Sequence, residues 1–161
     1  MNEKDIDRGY EARKPPITLR DDRSVIRYFI YGSLTCGIYA VYALYCLIRD
    51  INILCKESGR RVPGLVTYVL LSLVTLGIYS ILWWFRTAII LEEEARRRQV
   101  RISMTPGIVL LAFVMNYTCA GIAGLVGMHY VFDAVNELAR AYNIEERRRF
   151  YYETTPTEEN T

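Results

Sequence analysis

Apolar and charged positions along this chain are sorted into long blocks. Three stretches hold no Asp, Glu, Lys or Arg: residues 28–48, 62–85 and 102–132, of 21, 24 and 31 residues. A helix half-exposed to water shows polar residues along its wet face. About 20 apolar residues in a row instead match the roughly 30 Å of hydrocarbon in a bilayer. The pattern predicts an all-α fold, an integral membrane helical bundle. A water-soluble bundle with an unusually greasy core is the competing reading.

The blocks also repeat one another. Thr35-x-Gly37-Ile38-Tyr39 returns without gaps as Thr75-x-Gly77-Ile78-Tyr79, and a weaker third copy starts at Thr118, with Gly121-Ile122 in the place of the earlier Gly-Ile pairs. The register persists downstream, where Asn52, Glu92 and Asn136 each follow their glycine by 15 residues. Internal repetition of this kind implies one supersecondary unit packed against copies of itself. The expected organisation is a flexible N-terminal tail (1–20), a membrane domain (21–143) with units at about 24–57, 64–98 and 105–143, and a polar C-terminal tail (144–161). Each unit is expected to run from an apolar leg into an amphipathic extension.

Two geometries fit the glycines. In one, each unit is a continuous spanning helix and the glycine is a packing notch, with a small residue three positions on: Gly37 with Ala40, Gly77 with Ser80, Gly121 with Gly124. Small residues let helix backbones approach closely in lipid. In the other, glycine ends a short helix and the chain doubles back as a re-entrant hairpin. Legs of 10–14 residues reach only about half the membrane, so continuous, multi-pass spans are the expectation. Charge does not separate the two: a three-span topology puts twelve Lys and Arg on one side and eight on the other, too even for a positive-inside bias. Trp83 and Trp84, followed by Arg86, are expected as an interfacial aromatic belt.

Charge and cysteine content change little. Net charge is +2, and seven basic and six acidic side chains precede the first block, unlike the short n-region of a cleavable signal. Cys36, Cys46, Cys55 and Cys119 lack C-x-x-C spacing and read as small hydrophobes in a reducing setting.

The two T-x-G-I-Y phrases, the tryptophan pair behind the second and the Asp50/Asn52 turn resemble a bacterial and archaeal membrane-protein family catalogued as domain of unknown function 4234. The resemblance covers about residues 24–98, with a diverged copy to 143. Ala43 departs from it, standing where such proteins often carry tryptophan, and the third unit lacks the Tyr. It implies a multi-pass prokaryotic membrane protein and carries no activity with it.

Candidate chemistry is sparse. His129, Asp133, Asn136 and Glu137 share one face of a helical stretch. That spacing could supply metal ligands, but it equally makes the wet stripe of an amphipathic helix, with Arg140 in pairing distance. Hydrolase, phosphate-loop and zinc-protease signatures are missing, so no enzyme activity, cofactor or metal is expected. The expected role is a non-catalytic structural or partner-binding membrane module in the cell membrane; a small oligomeric channel or transporter is the alternative. Expected partners are the lipid bilayer and, through the glycine faces, a second copy or another membrane protein. The polybasic runs at 96–98 and 147–149 flank apolar blocks and read as headgroup contacts rather than nucleic-acid contacts.

Overall fold

The computed structural model describes residues 17–116 and 122–154. They form helices only: α1 (Val25–Leu34), α2 (Ile38–Leu54), α3 (Leu65–Val74), α4 (Ile78–Arg97), α5 (Pro106–Met115) and α6 (Ile122–Thr154). Consecutive pairs fold into three antiparallel hairpins. No described helix is long and apolar enough to cross a membrane.

The continuous-span reading of the first two units is therefore corrected: the chain reverses at the repeated motif. At the end of α1 the Gly37 N–H donates to the Gly32 carbonyl (2.7 Å) and the Cys36 N–H to the Ser33 carbonyl (3.3 Å). This is a Schellman closure. It places Cys36 and Gly37 in the left-handed region, at φ 50° and 90°. The second motif is a copy: Gly77 N–H to Ser72 (2.7 Å), Leu76 N–H to Leu73 (3.3 Å), φ 50° at Leu76 and 92° at Gly77. A Cβ at Gly37 would meet nothing within 4 Å, so this glycine is required for its backbone angle and is no packing notch.

The threonine completes the turn. Thr35 Oγ1 donates to the Tyr31 carbonyl (2.6 Å) and accepts the Tyr39 N–H (3.0 Å). Thr75 does the same with Leu71 (2.7 Å) and Tyr79 (2.9 Å). One hydroxyl thus closes the last turn of one helix and satisfies an orphan donor in the first turn of the next. Thr118 and Gly121 of the third copy lie outside the described residues. There the small-residue notch does operate between helices: a Cβ at Gly127 would come to 2.9 Å from the Phe113 ring and 3.1 Å from Ala112 Cβ. The Gly124 N–H donates to Asn116 Oδ1 (3.0 Å).

The hairpins close into a ring with their second legs inward. Leu47, Ile51 and Leu54 on α2 match Thr87, Leu91 and Glu94 on α4, and Val131, Val135 and Leu138 on α6, position for position in the repeat. All nine are buried, at 2 % exposure or less. The spacing of four and then three keeps each set on one helix stripe. The core therefore sits in the C-terminal halves of α2 and α4 and at the matching positions of the longer α6, two or more turns from the start of each helix. The expected tail boundaries shift with it. Leu19 is buried against α6, its N–H and carbonyl held by the Asn143 carboxamide (both 2.8 Å). At the other end, residues 144–154 continue α6.

Candidate functional site

The turn end of the bundle is apolar and uncovered. Of the large exposed hydrophobic residues, all but Ile17, Ile144, Tyr151 and Tyr152 fall within 26–45, 66–82 and 108–126, the three hairpin ends. Helix α3, of sequence LVTYVLLSLV, has no buried residue at all. Leu73, Val74 and Leu76 are 73 %, 80 % and 88 % exposed. Apolar exposure on this scale exceeds what a surface facing water alone ordinarily carries.

Beside this surface, at the first hairpin, lies a cleft of about 190 Å³. Arg20, Arg23, Arg27 and Arg49 line it together with Tyr28, Tyr39, Tyr42, Ala43, Cys46 and Phe132. Two carboxylates answer the four guanidiniums. Asp50, 2 % exposed, pairs with Arg23 and with Arg49 (3.1 Å), and Asp22 pairs with Arg20 (2.7 Å) and Arg27 (2.9 Å). Hydrogen bonds from Arg20 and then Arg27 hold the Asp22 carboxyl down at about 2. Among the described residues the cleft thus carries a surplus of two positive charges. The side chains of Arg20, Arg27 and Arg49 are about half exposed, while that of Arg23 is only 8 % exposed.

The repeat explains why the cleft is open. In the second hairpin, Trp83 stands where the first has Ala43. Its ring lies 4.8 Å from Tyr68, edge-on, and its Nε1–H donates to the Pro63 carbonyl (3.3 Å). Tyr68 and Pro63 are the repeat equivalents of Tyr28 and Arg23. An indole therefore fills in one hairpin the space that alanine leaves vacant in the other.

The polar end of the bundle is held by two devices. Asn52 clasps the backbone of Val62, accepting its N–H (2.8 Å) and donating to its carbonyl (3.3 Å). Its repeat equivalent Asn136 clasps Arg23 in the same way (3.0 and 2.9 Å). Each asparagine thus fixes the entry to another hairpin. The second device is an ion network. Glu94 accepts from Arg97 and Arg98 (both 2.6 Å), Arg98 also donates to Glu145 (2.6 Å) and to the Leu54 carbonyl (3.2 Å), and Glu57 accepts from Arg97 (3.0 Å) and Arg149 (3.3 Å). All three units contribute. Burial disfavours the Glu94 carboxylate, but hydrogen bonds from Arg97 and Arg98 outweigh it and keep its pKa below the ordinary value. Cys55 beside the network is buried, and burial, then Glu94, pushes its thiol up to about 12. It is no nucleophile.

The residues singled out from sequence are dispersed. Tyr39 lines the arginine cleft, and Tyr79 packs against the core. Trp83 and Trp84 are not an exposed belt: they are 1 % and 3 % exposed, and Trp84 stacks on Phe113 at 5.2 Å. Their large apolar faces find protein instead. His129 faces an apolar groove between α1 and α6, Asn136 is a clasp, Asp133 is half-buried, and Glu137 pairs with Arg140 (3.0 Å). Among the described residues no group of three His, Cys, Asp or Glu could hold a metal ion. The arginine cleft escaped the sequence reading because Arg20 lay in a presumed tail. Its one sequence signal was Ala43, the break in the repeat.

Comparison with known families places the chain. The family described as Domain of unknown function (DUF4234) matches residues 23–69 and 63–137, together most of the chain. No curated protein and no solved structure matches.

Proposed function

The chain belongs to the DUF4234 family, and we propose that it is an integral membrane protein whose three hairpins enter one leaflet from the same side. Its role is that of a non-catalytic structural or partner-binding module. One observation carries the reading: α3 is a ten-residue apolar helix without a single buried residue. In water such a helix has only the partial packing of Leu65 and Tyr68 to offset its ordering entropy. In hydrocarbon its backbone is satisfied internally and its side chains are solvated.

Length supports the one-leaflet geometry. A ten-residue leg rises about 15 Å, roughly half of the hydrocarbon core. The Thr-x-Gly turn needs no water, because its hydroxyl and Schellman bonds satisfy backbone groups locally. Hairpins returning to one face also account for basic residues on every flank, which a three-span topology left unexplained.

The test is single-cysteine labelling of the full chain in vesicles, with the native cysteines replaced. Lys56→Cys and Gln99→Cys follow the second legs of the first two hairpins. Hairpins in one leaflet expose both positions to an impermeant maleimide on the same side. Labelling from opposite sides overturns this topology in favour of spans, and extraction by carbonate without detergent overturns membrane integration itself.

A further inference from the structure

We propose that the arginine cleft of the first hairpin binds the phosphate of an anionic glycerophospholipid headgroup. The assignment rests on the membrane reading above, which sets the cleft at the polar edge of the inserted hairpins. It deepens that reading by naming a ligand.

Three features of the cleft select this chemistry. Among the described residues its four guanidiniums pair with Asp22 and Asp50 alone, so a ligand carrying negative charge completes the balance. Arginine's planar fork suits phosphate oxygens better than a point charge does. Arg20, Arg27 and Arg49 keep half their surface and retain donors for a ligand, whereas Arg23 is committed to Asp50 and to the Arg20 carbonyl.

The space is specific to this hairpin. Ala43 leaves open what Trp83 fills in the second hairpin, and the tyrosine opposite is kept in both copies, as Tyr28 and Tyr68. The second hairpin therefore shows that this backbone accommodates an indole at the position. Phosphate chemistry can come from lipid or from solution. The walls favour lipid: Tyr42 lines the cleft and, with the neighbouring Val41, is more than half exposed on the apolar hairpin surface. A glycerol backbone and acyl chains can therefore follow the phosphate out of the cleft onto the same face.

Ala43→Trp tests this without deleting any charge. The full-length protein is mixed with vesicles of phosphatidylcholine alone, or of phosphatidylcholine doped with phosphatidic acid, and recovered by flotation. Inorganic phosphate serves as soluble competitor. The wild type should float with both vesicles and prefer the acidic ones by about tenfold or more, as expected for roughly two uncompensated cations. Ala43→Trp should float equally well with the neutral vesicles and lose the preference. Arg27→Gln/Arg49→Gln, at exposed positions, should lose it too, which guards against misfolding of the tryptophan variant. An undiminished acidic preference in both variants overturns the site while leaving the membrane reading intact. Suppression of the preference by millimolar-range inorganic phosphate at constant ionic strength assigns the cleft to free phosphate and overturns the lipid assignment. Failure of the wild type to float with neutral vesicles overturns the membrane reading, and the lipid site with it.

Discussion

The carboxamide of Asn136 grips the backbone of Arg23 from both sides, accepting its N–H at 3.0 Å and donating to its carbonyl at 2.9 Å. The two residues are 113 positions apart. The contact joins the last hairpin to the entry of the first and closes the ring, as Asn52 on Val62 joins the first to the second. Asn136→Ala leaves both backbone groups of a part-buried strand of chain without partners, a loss of about 2 kcal/mol. Asn136→Asp keeps the acceptor and loses the donor, so it should fall between. Thermal unfolding of the detergent-solubilised protein measures both. An Asn136→Ala variant as stable as wild type would show that the clasp only decorates a ring closed by its core.

The turn motif makes a second, separable claim. Gly37 and Gly77 sit at φ 90° and 92°, where an L side chain costs about 1–2 kcal/mol. Gly37→Ala should therefore destabilise by that amount although its Cβ would touch nothing within 4 Å. Thr35→Val, which preserves shape and removes both hydroxyl bonds, should cost about 1–2 kcal/mol. Gly127→Ala gives the contrasting case: ordinary helical backbone, with the Phe113 ring too close. If Gly37→Ala were neutral, the hairpin would not depend on the left-handed turn.

The same residues mark how far the sequence could be read. The repeat and the register that places Asn52 and Asn136 in equivalent roles were both visible, because repetition at fixed spacing reports structural equivalence directly. The reversal at glycine was not visible. A Schellman glycine and a packing glycine stand in the same apolar context, and only φ distinguishes them. Trp83 and Trp84 were misplaced for a related reason: burial against Tyr68 and Phe113 depends on which helices meet, and local composition is silent on that. The arginine cleft is made by an absence, Ala43, whose consequence appears only when the first hairpin is laid beside the second.

Acid should loosen the polar end first. Glu94 and Glu57 have pKa values held below the ordinary 4.5, Glu94 by Arg97 and Arg98 against the penalty of burial, Glu57 chiefly by its hydrogen bond from Arg97. A carboxyl whose folded pKa is lowered contributes stability that is complete above its unfolded value. That contribution is lost as pH falls through the folded value. The melting temperature should accordingly stay level down to about pH 5 and decline below about pH 4.5 through this network. Glu94→Gln removes the charge that Arg98, 3 % exposed in its side chain, depends on, and should cost about 3 kcal/mol at neutral pH while flattening the acid limb. An acid limb unchanged in Glu94→Gln would assign acid sensitivity to other carboxylates. Glu57, 44 % exposed in its side chain, is screened and contributes less.

Whether oil or water surrounds the hairpin ends can be decided by one charge. Leu73 is 73 % exposed near the end of a helix with nothing buried. If water covered it, Leu73→Glu would change stability by no more than about 0.5 kcal/mol, as surface substitutions do. If hydrocarbon covers it, the carboxylate meets a penalty of about 2.5–3.5 kcal/mol, equivalent to roughly a hundredfold fall in vesicle partitioning. Ile144→Glu supplies the control: Ile144 is 57 % exposed, but on the polar extension of α6, where either environment predicts almost no change. Flotation of the two variants beside wild type reads the difference. Equal recovery of both would mean that the apolar end is covered by another protein chain or left in water, because only lipid penalises a charge at Leu73 and spares one at Ile144 in a protein without a partner.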